Sequence, residues 1–301
     1  MKIAFVGASG YGNVGDDTYP CVFRDHLPDC DLLFYNSDLP GSLPEDIDML
    51  VIGGGGVLHN VGAGSDDAES PHFCCMKFYM DAAIERGIPW GFTSCGFQFQ
   101  VNGDAAYAEA LKPWIPYLRQ ACFITLRSPA CVRIAHEISG RSDAVCFPDA
   151  AYLYQPVAIS AVEPENIVTI IPAGLVNPKN ALINHYHRLF DSIRQPVVWL
   201  SMGARVDDGW MLEEVATRFP EARIMANPGP LEAYKQIAAS RLVITGRYHG
   251  MVFARTSSVP FLTPIDNPHK IRSEDLSLKM SSASGHIDTL RRFMPGAVGG
   301  G

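Results

Sequence analysis

The sequence predicts an α/β protein made of two doubly wound, Rossmann-like domains that face each other across a cleft. Short apolar runs alternate with longer helical patterns along most of the chain, which is typical of parallel β-α-β units. The alternation lapses once, in an irregular stretch that contains Pro156 and Pro164, and then begins again. We therefore assign residues 1–155 to an N-terminal domain, 156–295 to a C-terminal domain and the glycine-rich residues 296–301 to a flexible tail.

The first half contains six predicted strands, each a short apolar run bounded by turn residues. These strands are residues 2–8, 31–36, 48–53, 90–95, 122–126 and 144–147. The clearest helical patterns between them cover 67–86 and 104–120. Pro113 and Pro116 are expected to kink or split the second of these helices.

The second half repeats the pattern with five strands, at residues 167–171, 197–202, 222–226, 242–245 and 260–264. Its helices are expected near 181–193, 208–219, 230–239 and 282–293. A length of 301 residues with 47% hydrophobic content suits two cores of this kind, since single domains typically hold about 100 to 200 residues.

Charge and composition exclude several classes of function. A net charge of -8 provides no broad basic footprint for nucleic acid. No apolar run approaches the roughly 18 residues of a membrane span, and Met1-Lys2 leads directly into a strand, so we expect a cytoplasmic protein for which transient contact with a membrane surface stays open. The eight cysteines contain no C-x-x-C pair and suggest reduced thiols. No metal site and no cofactor are predicted.

A glycine-rich turn follows the first strand and leads into a helix, with the sequence Gly7-Ala8-Ser9-Gly10-Tyr11-Gly12-Asn13-Val14-Gly15-Asp16-Asp17. Glycines let backbone N–H groups approach a ligand closely, and a helix N-terminus favours an anion. The spacing differs from the G-x-G-x-x-G of dinucleotide-binding folds. Asp16 and Asp17 also suit a structural role, as caps that complement the helix dipole.

A second glycine cluster, Gly53-Gly54-Gly55-Gly56, directly follows the third strand. Four successive glycines cost chain entropy, which suggests that this backbone comes close to either a ligand or a neighbouring helix. Of these two, a ligand is favoured.

Cationic side chains follow three predicted strands, at the sheet edge where open α/β folds bind ligands. The strand 242–245 is followed by Gly246-Arg247-Tyr248-His249-Gly250, which combines an anion-binding guanidinium with a proton donor. Arg127 ends the strand 122–126, and Lys270 follows the last strand. We predict that Arg127, Arg247 and Lys270 converge with His249 on one small, highly charged anion. Taken singly, each also suits a structural role, such as an ion pair or a helix cap.

In combination these motifs resemble the polysaccharide pyruvyl transferase family. The shared motifs occur in the same order along nearly the whole chain: Gly10-Tyr11-Gly12-Asn13-Val14-Gly15-Asp16-Asp17, Gly53-Gly54-Gly55-Gly56, Ile124-Thr125-Leu126-Arg127-Ser128, Pro148-Asp149-Ala150, and Arg247-Tyr248-His249-Gly250 followed by Lys270. The resemblance implies a GT-B-like fold. It also implies transfer of a pyruvyl group from phosphoenolpyruvate, as co-substrate, to a free or lipid-linked saccharide acceptor in polysaccharide biosynthesis.

The chemistry of phosphoenolpyruvate explains these residue types. Guanidinium groups bind its carboxylate and phosphate better than ammonium groups do, and a general acid must protonate its methylene carbon. The resemblance implies Arg127, Arg247 and Lys270 as donor ligands, and His249 is the candidate acid. Further donor-binding candidates are Gly12, Asn13, Gly15, Asp16, Gly54, Gly55, Tyr248 and Gly250.

Two alternatives stay open at this point. A GT-B glycosyltransferase would use the same cations to hold the diphosphate of a nucleotide sugar, although no clear ribose-binding acid is present. A non-catalytic binding protein could retain the fold, although both Arg247 and His249 are kept. The loop Thr93-Ser94-Cys95-Gly96-Phe97-Gln98-Phe99 departs from the glycine-rich pattern of the family, which leaves the acceptor class open.

Overall fold

A computed structural model describes most of the 301-residue chain. The described residues are 1–37, 41–60, 69–97, 111–156, 162–172, 188, 191–203, 217, 220–263 and 279–294. The predicted tail at 296–301 and Lys270 therefore lie outside the described residues, as do most of the predicted helices 181–193 and 208–219.

The chain divides into two compact units. Unit 1 consists of Met1–Ser9, Tyr19–Leu153 and Ser273–Gly301, and unit 2 consists of Gly10–Thr18 and Tyr154–Arg272. The break between Leu153 and Tyr154 adjoins the assigned boundary at residue 155. Two segments differ from the assignment: the glycine-rich loop after the first strand groups with unit 2, and the C-terminal segment groups with unit 1.

Unit 1 contains a six-stranded, fully parallel sheet. Its strands are β1 (Lys2–Gly7), β2 (Asp31–Asn36), β3 (Met49–Leu58), β4 (Trp90–Phe97), β5 (Phe123–Leu126) and β6 (Val145–Cys146), in the order β2-β1-β3-β4-β5-β6. The direction of winding reverses between β1 and β3, so the carboxyl ends of these two strands form the topological switch point of unit 1.

In the described residues of unit 1, four helices precede its last segment: α1 (Tyr19–His26), α2 (Pro71–Glu85), α3 (Ile115–Gln120) and α4 (Pro129–Ser139). Ser70 and Ser128 cap α2 and α4 by accepting hydrogen bonds from backbone N–H groups, and in both helices a proline follows the cap. Described residues 111–120 of the predicted helix 104–120 form a 3-10 turn and then α3, with Pro113 and Pro116 at the starts of the two pieces. The expected split is confirmed there.

Unit 2 contains a five-stranded parallel sheet. Its strands are β7 (Val168–Ile171), β8 (Val197–Leu200), β9 (Arg223–Met225), β10 (Leu242–Thr245) and β11 (Phe261–Leu262), in the order β11-β10-β7-β8-β9. The helices α5 (Pro230–Ala239) and α6 (Tyr248–Thr256) flank β10 in sequence. Winding reverses between β7 and β10, which places the switch point of unit 2 at their carboxyl ends.

The last helix, α7 (Gly285–Arg292), belongs to unit 1 and matches most of the predicted helix 282–293. It packs onto the sheet of unit 1, and Phe293 just after it lies 5.1 Å from Phe123 of β5, ring centroid to ring centroid. All eleven predicted strands are present, and the α/β class with two doubly wound parallel sheets is confirmed. One difference is that β3 continues through all four glycines to Leu58 instead of ending at the first of them, Gly53.

Candidate active site

The motif that starts at Arg247 lies at the switch point of unit 2. Strand β10 ends at Thr245, its neighbour β7 ends at Ile171, and the chain passes through Gly246 and Arg247 into α6. The backbone N–H of Gly246 donates to the Ile171 carbonyl at 2.9 Å, which extends the pairing of the two strands by one residue. The motif therefore occupies the sheet edge where α/β folds of this kind bind ligands.

The turn at Arg247 is held by the hydroxyl of Thr245. This hydroxyl accepts from the Arg247 backbone N–H at 3.0 Å and donates to the Arg247 carbonyl at 2.9 Å. Gly250 lies in the first turn of α6, and a Cβ there would overlap the Thr245 side chain and contact Ile171. The glycine of the motif thus lets α6 start close against β7 and β10, and Arg247 itself is half-buried at the helix N-cap.

His249 lies in the first turn of α6 and is 8% exposed. The Tyr248 ring contacts it edge to face, with centroids 5.2 Å apart. Gly15 lies directly against the imidazole, and a Cβ at that position would overlap the ring. The structure therefore brings together two predicted site residues that are far apart in sequence.

Gly15 reaches His249 because the glycine-rich loop Gly10–Thr18 folds onto unit 2. The backbone N–H of Val14 donates to the Met202 carbonyl at 3.0 Å, and Asn13 pairs with Gly203, just beyond β8. The loop leaves β1 of unit 1, yet its own backbone hydrogen bonds attach it to the sheet edge that carries His249.

Two aspartates of the same loop bond within it. Asp16 accepts from the Asn13 side chain at 2.6 Å, and Asp17 accepts from the Gly10 backbone N–H at 2.6 Å. Burial raises the pKa of Asp17, while the backbone N–H groups of Gly10 and Gly12 oppose that shift. These carboxylates therefore help to fix the shape of the loop, and donor binding by Asp16 stays a prediction.

Arg127 lies in unit 1, directly after β5, and is 6% exposed. Its Nη1 forms an ion pair with Asp149 Oδ2 at 3.1 Å, and Asp149 is fully buried. The Tyr19 hydroxyl donates to both oxygens of the same carboxylate, at 2.9 and 2.8 Å. The guanidinium lies over Gly96, where a Cβ would overlap it. A buried, paired arginine of this kind is held in one orientation.

The glycine cluster of β3 packs against protein groups in unit 1. A Cβ at Gly53 would overlap the Thr93 carbonyl, and one at Gly54 would overlap the Tyr19 ring. The close approach inferred from four successive glycines is thus confirmed for a neighbouring strand and helix. Donor binding by Gly54 and Gly55 stays a prediction, as does the convergence of Arg127, Arg247 and Lys270 on His249, since Lys270 lies outside the described residues.

Sequence reasoning missed two residues near the buried ion pair of Arg127 and Asp149, namely Tyr19 and His286. Tyr19 directly follows the glycine-rich loop, and that position is the one signal for it in the sequence. His286 lies 161 residues from its hydrogen-bond partner Thr125, so no local pattern reveals it.

The described ranges hold no group of three or more His, Cys, Asp or Glu side chains that is placed to bind a metal ion. Their helices include none with the length and apolar character that crossing a membrane requires.

Comparison with protein families gives a match over residues 22–269 to the family described as polysaccharide pyruvyl transferase. Comparison with curated proteins gives no significant match. Solved structures with a similar fold include three UDP-GlcNAc 2-epimerases. The enzyme of Methanocaldococcus jannaschii in complex with UDP-GlcNAc and UDP has a TM-score of 0.56 and 11% identity, over 96% of this chain and 92% of that one.

The enzyme of Rickettsia bellii has a TM-score of 0.57 and 10% identity, over 96% of this chain and 88% of its own. That of Neisseria meningitidis bound to UDP-GlcNAc has a TM-score of 0.53 and 8% identity, over 97% and 91%. At such identities the likeness is one of fold alone. It confirms the α/β, GT-B-like class.

Proposed function

Because the chain belongs to the polysaccharide pyruvyl transferase family, we propose that it moves a pyruvyl group from phosphoenolpyruvate onto two hydroxyls of a saccharide to form a pyruvate ketal. The observation that carries the proposal is the position of Arg247 and His249. They follow β10 at the switch point of unit 2, and the glycine-rich loop lies against the imidazole. A guanidinium, an imidazole and close-packed backbone therefore lie at one sheet edge, which supports the proposed roles of anion ligand and proton donor.

The reaction needs one proton added to the methylene carbon of the donor and two new C–O bonds from acceptor hydroxyls to its central carbon. In the proposed mechanism His249 protonates the methylene carbon of phosphoenolpyruvate, and the central carbon becomes an oxocarbenium-like electrophile. The first acceptor hydroxyl adds to it, phosphate leaves with the C–O electron pair, and the second hydroxyl adds to the resulting cation. Of the two hydroxyl protons released, one restores His249 and the other leaves with phosphate, so the products are the ketal and inorganic phosphate.

The surroundings of His249 suit a general acid. The residue is 8% exposed, so bulk water has little access to it, and contacts with Gly15 and Tyr248 limit the orientation of its ring. A positioned acid of this kind contributes about 10² to 10⁴ in rate. The guanidinium of Arg247 provides planar, paired donors for the phosphate or carboxylate of the donor. The predicted roles of Arg127 and Lys270 as further donor ligands are carried over from the family resemblance.

The direct test incubates the protein with phosphoenolpyruvate and a panel of free and lipid-linked saccharides, and follows phosphate release and product mass. We expect phosphate release that depends on the acceptor, with a product heavier by one pyruvic acid less one water. As a binding test, phosphoenolpyruvate at about 100 times its Kd should raise the free energy of unfolding by about 2.7 kcal/mol. Stabilisation by nucleotide sugars and not by phosphoenolpyruvate would support the glycosyltransferase alternative instead.

A further inference from the structure

His286, in the first turn of α7, is fully buried, and each of its ring nitrogens has a hydrogen-bond partner. Its Nδ1 lies 2.7 Å from the hydroxyl oxygen of Thr125, and its Nε2 lies 3.0 Å from the carbonyl oxygen of Pro148. A carbonyl only accepts, so Nε2 carries the proton and donates, and Nδ1 of the neutral ring accepts from Thr125. Burial lowers the pKa of His286 to about 4, which agrees with a neutral ring.

The two partners of His286 lie next to the buried ion pair of unit 1. Thr125 is two residues before Arg127, which directly follows β5. Pro148 directly precedes Asp149. The imidazole therefore joins the strand to the turn immediately before these two segments meet in the ion pair between Arg127 and Asp149.

The orientation of the Arg127 guanidinium depends on that turn. Arginine has many rotamers, and the Asp149 carboxylate selects one by its ion pair at 3.1 Å. The carboxylate is itself fixed by the turn backbone, because its Oδ1 accepts from the Ala151 N–H at 2.9 Å. A shift of the Pro148 carbonyl would move Asp149 with it, and the guanidinium would follow.

We propose that His286 is a positioning residue: by holding the Pro148 carbonyl at a set distance from Thr125, it fixes Asp149 and, through Asp149, the guanidinium of Arg127. The kinetic consequence rests on the proposed function, in which Arg127 is a donor ligand. The structural coupling does not rest on it. A chemically inert histidine on the C-terminal helix thereby determines how well a distant arginine is preorganised.

The kinetic test compares three single variants. In His286→Leu both hydrogen bonds are lost, and the KM for phosphoenolpyruvate should rise about tenfold or more, with a smaller change in kcat, because a misplaced ligand weakens donor binding. His286→Gln keeps an N–H near the position of Nε2 and should restore the KM to within about threefold of wild type. Leu290→Ala removes buried packing from the same helix without removing either hydrogen bond, and should lower stability with the KM unchanged.

A double-mutant cycle separates positioning from general damage. In an Arg127→Lys background the fork that His286 positions is already lost, so His286→Leu should change the KM by less than about twofold. Leu290→Ala should be additive with Arg127→Lys in stability. Equal KM values for His286→Leu and Leu290→Ala, or independent effects of His286→Leu and Arg127→Lys, would overturn the inference.

A second part of the test measures stability alone and needs no ligand. Its result therefore does not depend on the proposed function. Urea unfolding of wild type, His286→Leu, Arg127→Lys and the double variant should show that the double variant loses less stability than the two single losses combined. Additive losses overturn the inference whether or not phosphoenolpyruvate is the donor. If the wild type is inactive but the double variant still loses less stability than the two single losses combined, only the proposed function is overturned. If His286→Leu does not fold, Thr125→Val, which removes the Nδ1 partner with little change in shape, replaces it in both arms.

Discussion

In both units an arginine follows the carboxyl end of an interior strand, β5 in unit 1 and β10 in unit 2, and the two arginines have different surroundings. In unit 1 Arg127 is 6% exposed and its guanidinium is tied to the fully buried Asp149. In unit 2 Arg247 is half-buried at the N-cap of α6, and the turn around it is held by the backbone and by Thr245. The same pattern in sequence thus yields a rigid internal cluster in one unit and a more accessible cation beside a histidine in the other.

The difference shows that position at a sheet edge and availability for chemistry are separate properties. Both motifs lie where parallel strands end, and each unit has glycines that permit close packing there. In unit 1 the packing fixes one arginine, whereas in unit 2 it confines an imidazole. Loss of the imidazole in unit 2 is therefore expected to affect turnover first, and substitutions in unit 1 are expected to affect stability and donor affinity.

The largest expected effect is on turnover. His249→Ala removes the proposed acid from unit 2, and kcat should fall by about 10² to 10⁴ with donor affinity less affected. Steady-state kinetics of phosphate release measure both parameters, with Leu290→Ala as the control for a loss of stability alone. Near-normal turnover in His249→Ala would show that His249 is not the general acid.

The next largest effect is on the stability of unit 1. Asp149→Ala leaves the buried Arg127 without its ion-pair partner, and the free energy of unfolding should fall by about 3 to 5 kcal/mol. Urea unfolding gives this value. In unit 2 the variant for comparison is Arg247→Ala. Its loss of free energy of unfolding should be well under half that of Asp149→Ala, because the Arg247 side chain is half-buried. Equal losses at the two arginine sites would break the comparison.

Low pH should also lower the stability of unit 1. The pKa of His286 is lowered by burial from 6.5 to about 4, so the unfolded chain binds a proton there at a higher pH than the folded one. Stability from this group is therefore complete above about pH 6.5 and falls as the pH drops towards 4, by about 3 kcal/mol in total. Urea unfolding between these pH values should show this slope in wild type and a shallower one in His286→Gln. Identical slopes would contradict the neutral, buried ring.

In unit 2 the glycine-rich loop offers a subtler test. Gly15→Ala places a methyl group where the His249 ring lies, so the ring or the loop must move, at a cost of about 1 to 3 kcal/mol. Turnover should fall with it. Gly41→Ala is the matched control, since a Cβ there meets no atom closer than 3.4 Å. Wild-type turnover in Gly15→Ala would show that contact with the loop has no part in holding His249.

The smallest expected effect is on donor affinity at unit 2. Arg247→Lys keeps the charge and loses the planar pair of donors, so the KM for phosphoenolpyruvate should rise about tenfold, or about 1.4 kcal/mol, with kcat less changed. A titration with phosphoenolpyruvate, monitored through thermal stabilisation of the protein, measures the affinity independently. An unchanged affinity would show that the planar pair of donors of Arg247 has no part in binding the donor.

Much of the fold could be predicted because it is written in local patterns. Each strand is a short apolar run, and the motif from Arg247 to Gly250 follows the end of β10 directly. The course of β3 beyond Gly53 was not predicted, since glycine is unfavourable in strands and only the packing on Thr93 and Tyr19 explains it.

The remaining features of the candidate site depend on contacts between remote segments. The glycine-rich loop follows β1 in sequence but bonds to Met202 and lies against His249, and no local pattern carries that information. His286 contacts Thr125 and Pro148 only because α7 returns to unit 1 after the whole of unit 2. Long-range pairings of this kind are determined by packing, which a single sequence does not display.

The central claim, protonation of the donor at carbon by His249, can be tested most directly by running the reaction in D₂O and examining the methyl group of the ketal by NMR and mass spectrometry. The account predicts a single deuterium in that methyl group for the wild type, since its third hydrogen comes from a solvent-exchanged acid, and a rate of ketal formation in His249→Ala lower by about 10² to 10⁴. A ketal methyl without deuterium, or the same rate of ketal formation in both proteins, would contradict it.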